Sequence, residues 1–401
     1  MKTTNNSLLF FIKQAFSLRT FLSASLAIAL SIFNLGSAIA APTLIPSPPQ
    51  VSASSYILID AHSGKVLVEN NPHEPLPPAS LTKMMTSYVA AHEIAAGNIS
   101  LDDQVRISIK AWKKGGSKMY IREGTMVKLE DLLRGVVIQS GNDASIAIAE
   151  HIAGSEDAFA DLMNQHAFEL GLTNTNFENA TGWPAPNHYS TAADLARIAQ
   201  AIIMKFPEHY KMYAEKEYTY NKITQTNRNL LLWRDPTVDG VKTGHTQEAG
   251  YCLVSSAEKN GMRLIAAVLG TNSREARASE SQKLLTYGFR FFETHHTYGA
   301  GETLNETAIW MGATDVLPVG LTEDLIITIP RGQKENLKAE VTVFEQIKAP
   351  IEAGETYGVL KLKLDEKMVA EKPLVALESI STGGLFKRLW HWLYLFVLGL
   401  F

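Results

Sequence analysis

Residues 77–86 read PPASLTKMMT, with Ser80 just behind two prolines and Lys83 three positions later. If a helix begins here, positions i and i+3 share one face, and the Lys83 amine can reach the Ser80 hydroxyl. The helix N-terminus adds unsatisfied N–H groups and positive potential, which favour negative charge developing on a substrate. A lysine acts as a base only when burial or a nearby cation lowers its pKa, so the pair needs other residues around it. The competing reading is structural. Serine is a favoured N-cap and proline is tolerated at a helix start, so Ser80 could cap an ordinary helix.

Spacing alone does not choose between them, because Ser256-Ala257-Glu258-Lys259 repeats it where a strand runs into a turn. That copy reads as solvated surface. Two other stretches supply what the pair at Ser80 lacks. QSGNDAS sets Ser140-Gly141-Asn142 between two helical stretches, where a loop can project a hydroxyl and an amide into a cleft. VDGVKTGHT sets Lys242-Thr243-Gly244 on an edge strand, with Gly240 and Gly244 admitting close approach by a ligand. Each is common by itself, but all three in this order are far rarer by chance. Asp143, beside the asparagine, reads as a helix-start residue rather than an acid.

The elements that must hold these residues follow from periodicity. Residues 55–70 read as a hairpin around Ser63-Gly64, and a helix runs over 80–96, closed by Gly97. Helices follow over 130–137, 144–153 and 157–170, then one capped by Ser190 or Thr191. AGYCLVSSAEKNGMRLIAAVLG is a second hairpin, turning at Asn260-Gly261, and a helix over 273–292 follows it. Strands at both ends and helices between predict an α/β (α+β) body, in which one antiparallel sheet built from both ends packs against a helical middle.

After Glu293 the pattern becomes short alternating runs such as DLIITIP, AEVTVFEQ and GVLKLKL, which reads as a separate small β domain. His295 and His296 at its boundary read as a solvated linker rather than a metal site. The chain closes on GGLFKRLWHWLYLFVLGLF, where Lys387, His391 and Tyr394 form one polar stripe on a greasy helix. Residues 385–401 are marginal in length for spanning, and two tryptophans and two cations suit an interface. The segment therefore reads as a helix lying in or dipping into a membrane surface. Packing back on the protein is the alternative, and it would leave little polar surface for water.

At the other end Lys2, Lys13 and Arg19 precede an apolar run over 21–33, and Ala38-Ile39-Ala40 fits a cleavage site. Residues 1–40 therefore read as a secretory signal, with an uncleaved anchor as the alternative, and 41–51 as a proline-rich linker. The lone cysteine, Cys252, excludes an intramolecular disulfide and reads as a small core residue rather than a reactive thiol. A net charge of −4 over 401 residues gives no bulk electrostatic case for nucleic acid. No zinc-type Cys/His spacing, phosphate loop or serine-protease triad motif stands out.

SLTK, SGN and KTGHT in this order resemble the active-site serine penicillin-recognising enzymes. The closer resemblance is to the low-molecular-mass D-alanyl-D-alanine carboxypeptidases of peptidase family S11, through NDASIAIAEHIAGSEDAF, RNLLLW, AGYCLVSSA, MRLIAAVLG and LLTYGFRFFE. The resemblance covers the whole mature chain. It implies a β-lactamase/transpeptidase-like catalytic domain over 52–292, a small β domain over 293–380 and an amphipathic membrane-anchoring helix over 381–401. It also implies the chemistry. Ser80 would attack the carbonyl between the terminal D-alanines of a peptidoglycan stem peptide, with Lys83 as base. Backbone N–H groups of Ser80 and His245 would hold the oxyanion, and Ser140 would relay the proton to the leaving D-alanine. Asn142 would bind the substrate backbone, Lys242 would add positive field, and Thr243 and Arg228, beside Gly244, would engage the terminal carboxylate. A β-lactam would acylate the same serine. No cofactor or metal is implied, and the expected place is the periplasmic face of the bacterial inner membrane, peripherally attached. A β-lactamase, an endopeptidase and a non-catalytic binding protein on the same fold are the competing functions.

Overall fold

The computed structural model describes residues 45–398, so the signal expected over 1–40, the start of the linker and the last three tail residues lie outside the described residues. A five-stranded antiparallel sheet comprises β1 (Ser55–Asp60), β2 (Val66–Asn70), β3 (Val238–Thr246), β4 (Gly250–Lys259) and β5 (Met262–Thr271). Its order is β2-β1-β5-β4-β3, so both ends of the region share one sheet and β3 is an edge, as expected. Asn260 and Gly261, both at positive φ (54° and 76°), make the tight turn that joins β4 to β5.

Strand alternation divides the core. Ile57, Ile59, Val254, Ile265 and Ala267 face the helical middle, where they meet Met84, Met85 and Val89 of α1 (Lys83–Ala95). The same cluster takes in Phe159 and Met163 of α3 (Glu156–Glu169) and Leu195, Ile198 and Ile202 of α4 (Ala192–Lys205). α2 (Asn142–Ala153) lies in this half too, two residues longer at its start than the sequence suggests. The opposite sheet face, with Leu58, Leu253, Leu264 and Val268, packs on Leu284, Leu285 and Tyr287 of α5 (Arg274–Phe291). Side-chain caps start three of these helices: Ser155 for α3, Thr191 for α4 and Ser273 for α5.

The C-terminal region holds β6 (Phe292–Tyr298) paired with β9 (Leu325–Pro330). It also holds a sheet of β7 (Thr303–Ala308), β8 (Val316–Gly320), β10 (Leu337–Val343), β11 (Thr356–Leu364) and β12 (Lys367–Ala376), in the order β7-β8-β12-β11-β10. In β11 the Leu-Lys-Leu-Lys-Leu alternation puts Leu360, Leu362 and Leu364 in the core and the lysines outward. Polar contacts join the two regions: Thr294 Oγ1 meets the Asp60 carboxylate, and Lys65 Nζ donates to the Thr328 carbonyl at 2.9 Å.

Two readings need correction. His295 and His296 are not linker but part of β6, opposite Ile327 and Ile326, with Glu293 and Asp324 beside their rings. Ser256 is not solvated: it is fully buried in β4, and its hydroxyl accepts from Arg263 Nη1 at 2.9 Å. In a strand, positions i and i+3 face opposite sides, so this serine and Lys259 cannot form a working pair. The polar stripe of the tail helix α6 (Leu385–Leu398) turns toward the protein. His391 Nδ1 accepts from the Met311 N–H at 2.9 Å, Tyr394 stacks on Trp310, and Lys387 pairs with Asp315 at 2.7 Å. Phe386, Leu389, Trp390 and Phe396 stay exposed. No helix of the described residues is long and apolar enough to cross a membrane.

α5 lies so close to the sheet that a Cβ on Gly288 would stand 2.5 Å from Leu264 Cδ1 and 3.1 Å from Leu58 Cδ2. Gly288→Val is therefore expected to destabilise the fold by about 1–3 kcal/mol through overpacking, measured by urea unfolding. An unchanged midpoint would mean the helix can lift off without cost.

Candidate active site

Ser80 lies in a single 3-10 turn, Ala79–Thr82, that leads directly into α1. It is not the N-cap of that helix and makes no side-chain capping bond; the turn is instead tied by the Leu81 N–H donating to the Pro78 carbonyl at 3.0 Å. Ala79, just before it, holds φ at 47°, a conformation that costs an L-residue about 1–2 kcal/mol. Two glycines hold the turn in place. A Cβ on Gly244 of β3 would touch the Pro78 carbonyl oxygen at 3.0 Å, and one on Gly182 would overlap the Ala79 carbonyl oxygen at 1.7 Å. His188 supports the same turn: its Nδ1 accepts from the Glu178 N–H, so Nε2–H donates to Thr82 Oγ1 at 2.8 Å. Burial drives the His188 pKa down to about 4, which keeps the ring neutral in that role.

Lys83 is fully buried one turn from Ser80. Its Nζ lies 3.1 Å from Ser80 Oγ and 2.8 Å from Asn142 Oδ1, and it donates to the Thr181 carbonyl. Burial, then the positive charges of Arg228 and Lys114, lower its pKa to about 7. Asn142, in the first turn of α2, gives one amide hydrogen to the Gly115 carbonyl at 2.8 Å and keeps a second for another acceptor. Ser140 sits just ahead in the left-handed region (φ 66°), and its buried hydroxyl has no hydrogen-bond partner among the described residues. Asp143 does more than start a helix. Its carboxylate accepts from the Met119 and Tyr120 N–H groups at 3.0 and 2.9 Å and so fixes the loop that meets Asn142.

On β3, Lys242 and Thr243 are both buried, and Lys242 Nζ donates to the Thr243 carbonyl at 3.1 Å. Burial and the charges of Lys83, Arg228 and Arg277 push Lys242 well below its ordinary value. Arg277 of α5, which the sequence reading passed over, donates to the Gly244 and Arg228 carbonyls and positions both segments. The Arg228 side chain is exposed, and the His245 ring lies against Tyr251 at 4.0 Å. Beside the Ser80 turn opens a cleft of about 600 Å³ lined by Pro77, Gly182, Trp183, Tyr189 and Thr246, among others. Lys83 thus hydrogen-bonds both Ser80 and Asn142, Ser140 precedes Asn142, and β3 runs past the turn.

The arrangement places a serine hydroxyl against a buried, weakly basic amine beside a free strand edge, a device of serine acyl-transfer enzymes that use lysine as base. The comparisons agree with that class. Residues 43–273 match the family model described as D-alanyl-D-alanine carboxypeptidase, and residues 292–382 match that described as penicillin-binding protein 5, C-terminal domain. The D-alanyl-D-alanine carboxypeptidase DacC of Escherichia coli (strain K12) is 46% identical over 350 residues, 85% of this chain and 88% of the relative. Penicillin binding protein 5 from Haemophilus influenzae superposes with a TM-score of 0.81 at 42% identity, over 84% of this chain and 99% of that one. Penicillin-binding protein D2 from Listeria monocytogenes, in its ampicillin-bound form, superposes with a TM-score of 0.56 at 29% identity, over 60% of this chain and all of that one (100%). The chain belongs to the D-alanyl-D-alanine carboxypeptidase family.

Gly182 gives a direct test of the geometry, because it combines φ 79° with a Cβ position already filled by backbone. Gly182→Ala is expected to destabilise the protein by at least about 2 kcal/mol in chemical denaturation, from the sum of clash and strain. Wild-type stability in that variant would show that the loop does not press on the Ser80 turn.

Proposed function

We propose that the protein is a serine D-alanyl-D-alanine carboxypeptidase that removes the terminal D-alanine from peptidoglycan stem pentapeptides through an acyl-Ser80 intermediate. The observation that carries this reading is the set of partners around Lys83 Nζ: Ser80 Oγ, Asn142 Oδ1 and the Thr181 carbonyl. Amide and carbonyl oxygens only accept. When the amine is neutral, its lone pair therefore has one hydroxyl proton to take, that of Ser80.

In the proposed sequence Lys83 removes that proton as Ser80 attacks the scissile carbonyl. The Ser80 and His245 N–H groups hold the oxyanion; Ser80 lies in a first helical turn, where N–H groups lack intrahelical acceptors. The substrate lies along the free edge of β3 as an added strand, beside the Ser80 turn that packs on Gly244. Asn142 spends its oxygen on Lys83 and offers its remaining N–H to the substrate backbone. The Ser140 hydroxyl, without a partner among the described residues, relays the proton taken up by Lys83 to the leaving amine. Thr243 and Arg228 take the terminal carboxylate. That negative charge favours the protonated form of Lys242, so its field appears when substrate binds. Water then releases the acyl group, and β-lactams acylate the same serine.

The proposed organisation is a signal over 1–40, a linker over 41–51, the catalytic domain over 52–292, the β domain over 293–380 and an anchoring helix over 381–401. The exposed apolar sides of α6 support attachment to the periplasmic face of the inner membrane, since its polar side is occupied by the protein. Peptidoglycan peptides and β-lactams are the proposed ligands.

Ser80→Ala is expected to abolish both D-alanine release and covalent labelling by penicillin; label retained on the variant would refute the nucleophile. A neutral base with a pKa near 7 is lost by protonation as pH falls, so acylation is expected to decline roughly tenfold per pH unit below that value. A flat profile from pH 5 to 8 would contradict the role of Lys83. Ending the chain after Gly384 is expected to shift the protein from the membrane to the soluble fraction with activity on soluble peptide retained. Continued sedimentation would assign attachment elsewhere.

A further inference from the structure

At the end of α1 opposite the active site, His92 and Glu93 in its last turns meet His166 from the last turn of α3. One donor atom from each of the three lies within 4.8 Å of the other two. We infer that this cluster is a binding site for a divalent transition cation of the zinc class, clamping the ends of α1 and α3 together.

The strongest observation is His166 itself. Its side chain is only 4% exposed, and its Nδ1 lies 3.1 Å from Glu169 Oε2. That contact makes Nδ1 the N–H donor and turns the lone pair of Nε2 away from Glu169. Nε2 is buried and has no hydrogen-bond partner among the described residues. A carboxylate on one imidazole nitrogen and a free lone pair on the other is the arrangement that orients a metal-ligating histidine. Glu93 is held the same way: Oε2 accepts from Asn98 Nδ2 at 2.7 Å, while Oε1 lies 3.4 Å from His92 Nδ1. Ligand atoms around a tetrahedral zinc stand about 3.4 Å apart, so that pair already has the required spacing. His92 is the most exposed member, with its side chain 44% exposed, which leaves space for a rotation that closes the remaining gap. Its ring already lies 4.6 Å from that of His166.

Two imidazoles and a carboxylate suit zinc, cobalt or nickel better than calcium or magnesium, and the exposed side leaves a fourth position for water. The ends of two helices also place negative potential toward the cluster, which favours a cation. The site is remote from Ser80 in chemistry but not in mechanics, because α1 begins at Lys83. The cation is a clamp on that helix and enters no step of the reaction. The competing account is two histidines packed ring against ring at a tilt of 57° for stability alone.

The test uses the full chain without an affinity tag, stripped with chelator and titrated with Zn²⁺ by calorimetry, with Co²⁺ as a spectroscopic probe. Expected are one equivalent of Zn²⁺ bound, a higher melting temperature with Zn²⁺ than with chelator, and the visible bands of tetrahedral Co²⁺. His92→Ala, at a half-exposed position that leaves the core intact, is expected to weaken binding at least tenfold. Glu169→Gln, which touches no metal, is expected to weaken it about 10–100-fold by releasing His166. Circular dichroism confirms that each variant is folded. Absence of Zn²⁺ binding, or equal affinity in the wild type and both variants, would overturn the proposal.

Discussion

Burying the amine of Lys83 is the constraint on which the helical half is built. A lysine nitrogen taken out of water costs several kcal/mol unless its hydrogen bonds are replaced. Here they are replaced from three separate segments: the Ser80 turn, the start of α2 and the loop around Thr181. Each needs its own support. Asp143 anchors the 119–121 loop beside α2, and Asn179 Oδ1 accepts from the Thr181 and Gly182 N–H groups at 3.1 and 2.8 Å. Much of the middle of the chain is thereby committed to one nitrogen. The same burial makes the amine weakly basic, so the cost of placing it there and its proposed usefulness have one origin.

A second constraint is how closely backbones must approach. The Ser80 turn is gripped between β3 and the 179–184 loop, and side chains at Gly244 or Gly182 would push them apart. Ala79 and Ser140, both at positive φ, are tolerated because packed neighbours hold them, and the Ser140 hydroxyl has no partner among the described residues. An unsatisfied buried hydroxyl costs about 1–3 kcal/mol, and an unusual backbone angle a similar amount. The large core on both sheet faces can absorb such losses, and they fall where substrate groups would compensate them in the proposed mechanism.

How far the site could be read from sequence depended on whether its geometry was local. Ser80 and Lys83 were legible because a helix fixes i and i+3 on one face, and Lys242 to Gly244 because Gly240 and Gly244 in VDGVKTGHT mark an edge strand open to close approach. The antiparallel sheet was legible from its two hairpins, around Ser63-Gly64 and Asn260-Gly261. Contacts across long separations were not. Nothing in NDAS marks Asp143 as the acceptor for residues 119–121, and nothing near Arg277 announces its bond to Gly244. Ser256 was misplaced because its neighbours Glu258 and Lys259 are polar, while the strand turns the serine itself inward. His92 and His166 escaped notice because no local spacing links the ends of two separate helices. The Ser80 cap was misjudged for a subtler reason: an extra 3-10 turn puts the serine inside the helical segment rather than ahead of it.

The tail shows how magnitudes decide a role. α6 is tied to the β domain by one backbone-to-histidine bond, the packing of His391 and Tyr394 on Trp310, the Lys387–Asp315 pair and a long bond from Lys387 Nζ to the Ala313 carbonyl. The ion pair is partly solvated and worth at most about 1 kcal/mol, and the stack adds about 0.5–1.5. Against this, full burial of one large apolar side chain contributes about 1.5–3 kcal/mol, and α6 leaves Leu385, Phe386, Leu389, Trp390 and Phe396 exposed. The dock therefore sets orientation rather than most of the energy. By spending the polar stripe on the protein, it turns the apolar residues outward together, and a surface that covers them would receive the catalytic half in a fixed pose. A helix with its greasy side on the β domain would have had the opposite effect, closing the core and leaving only a weak polar stripe outside.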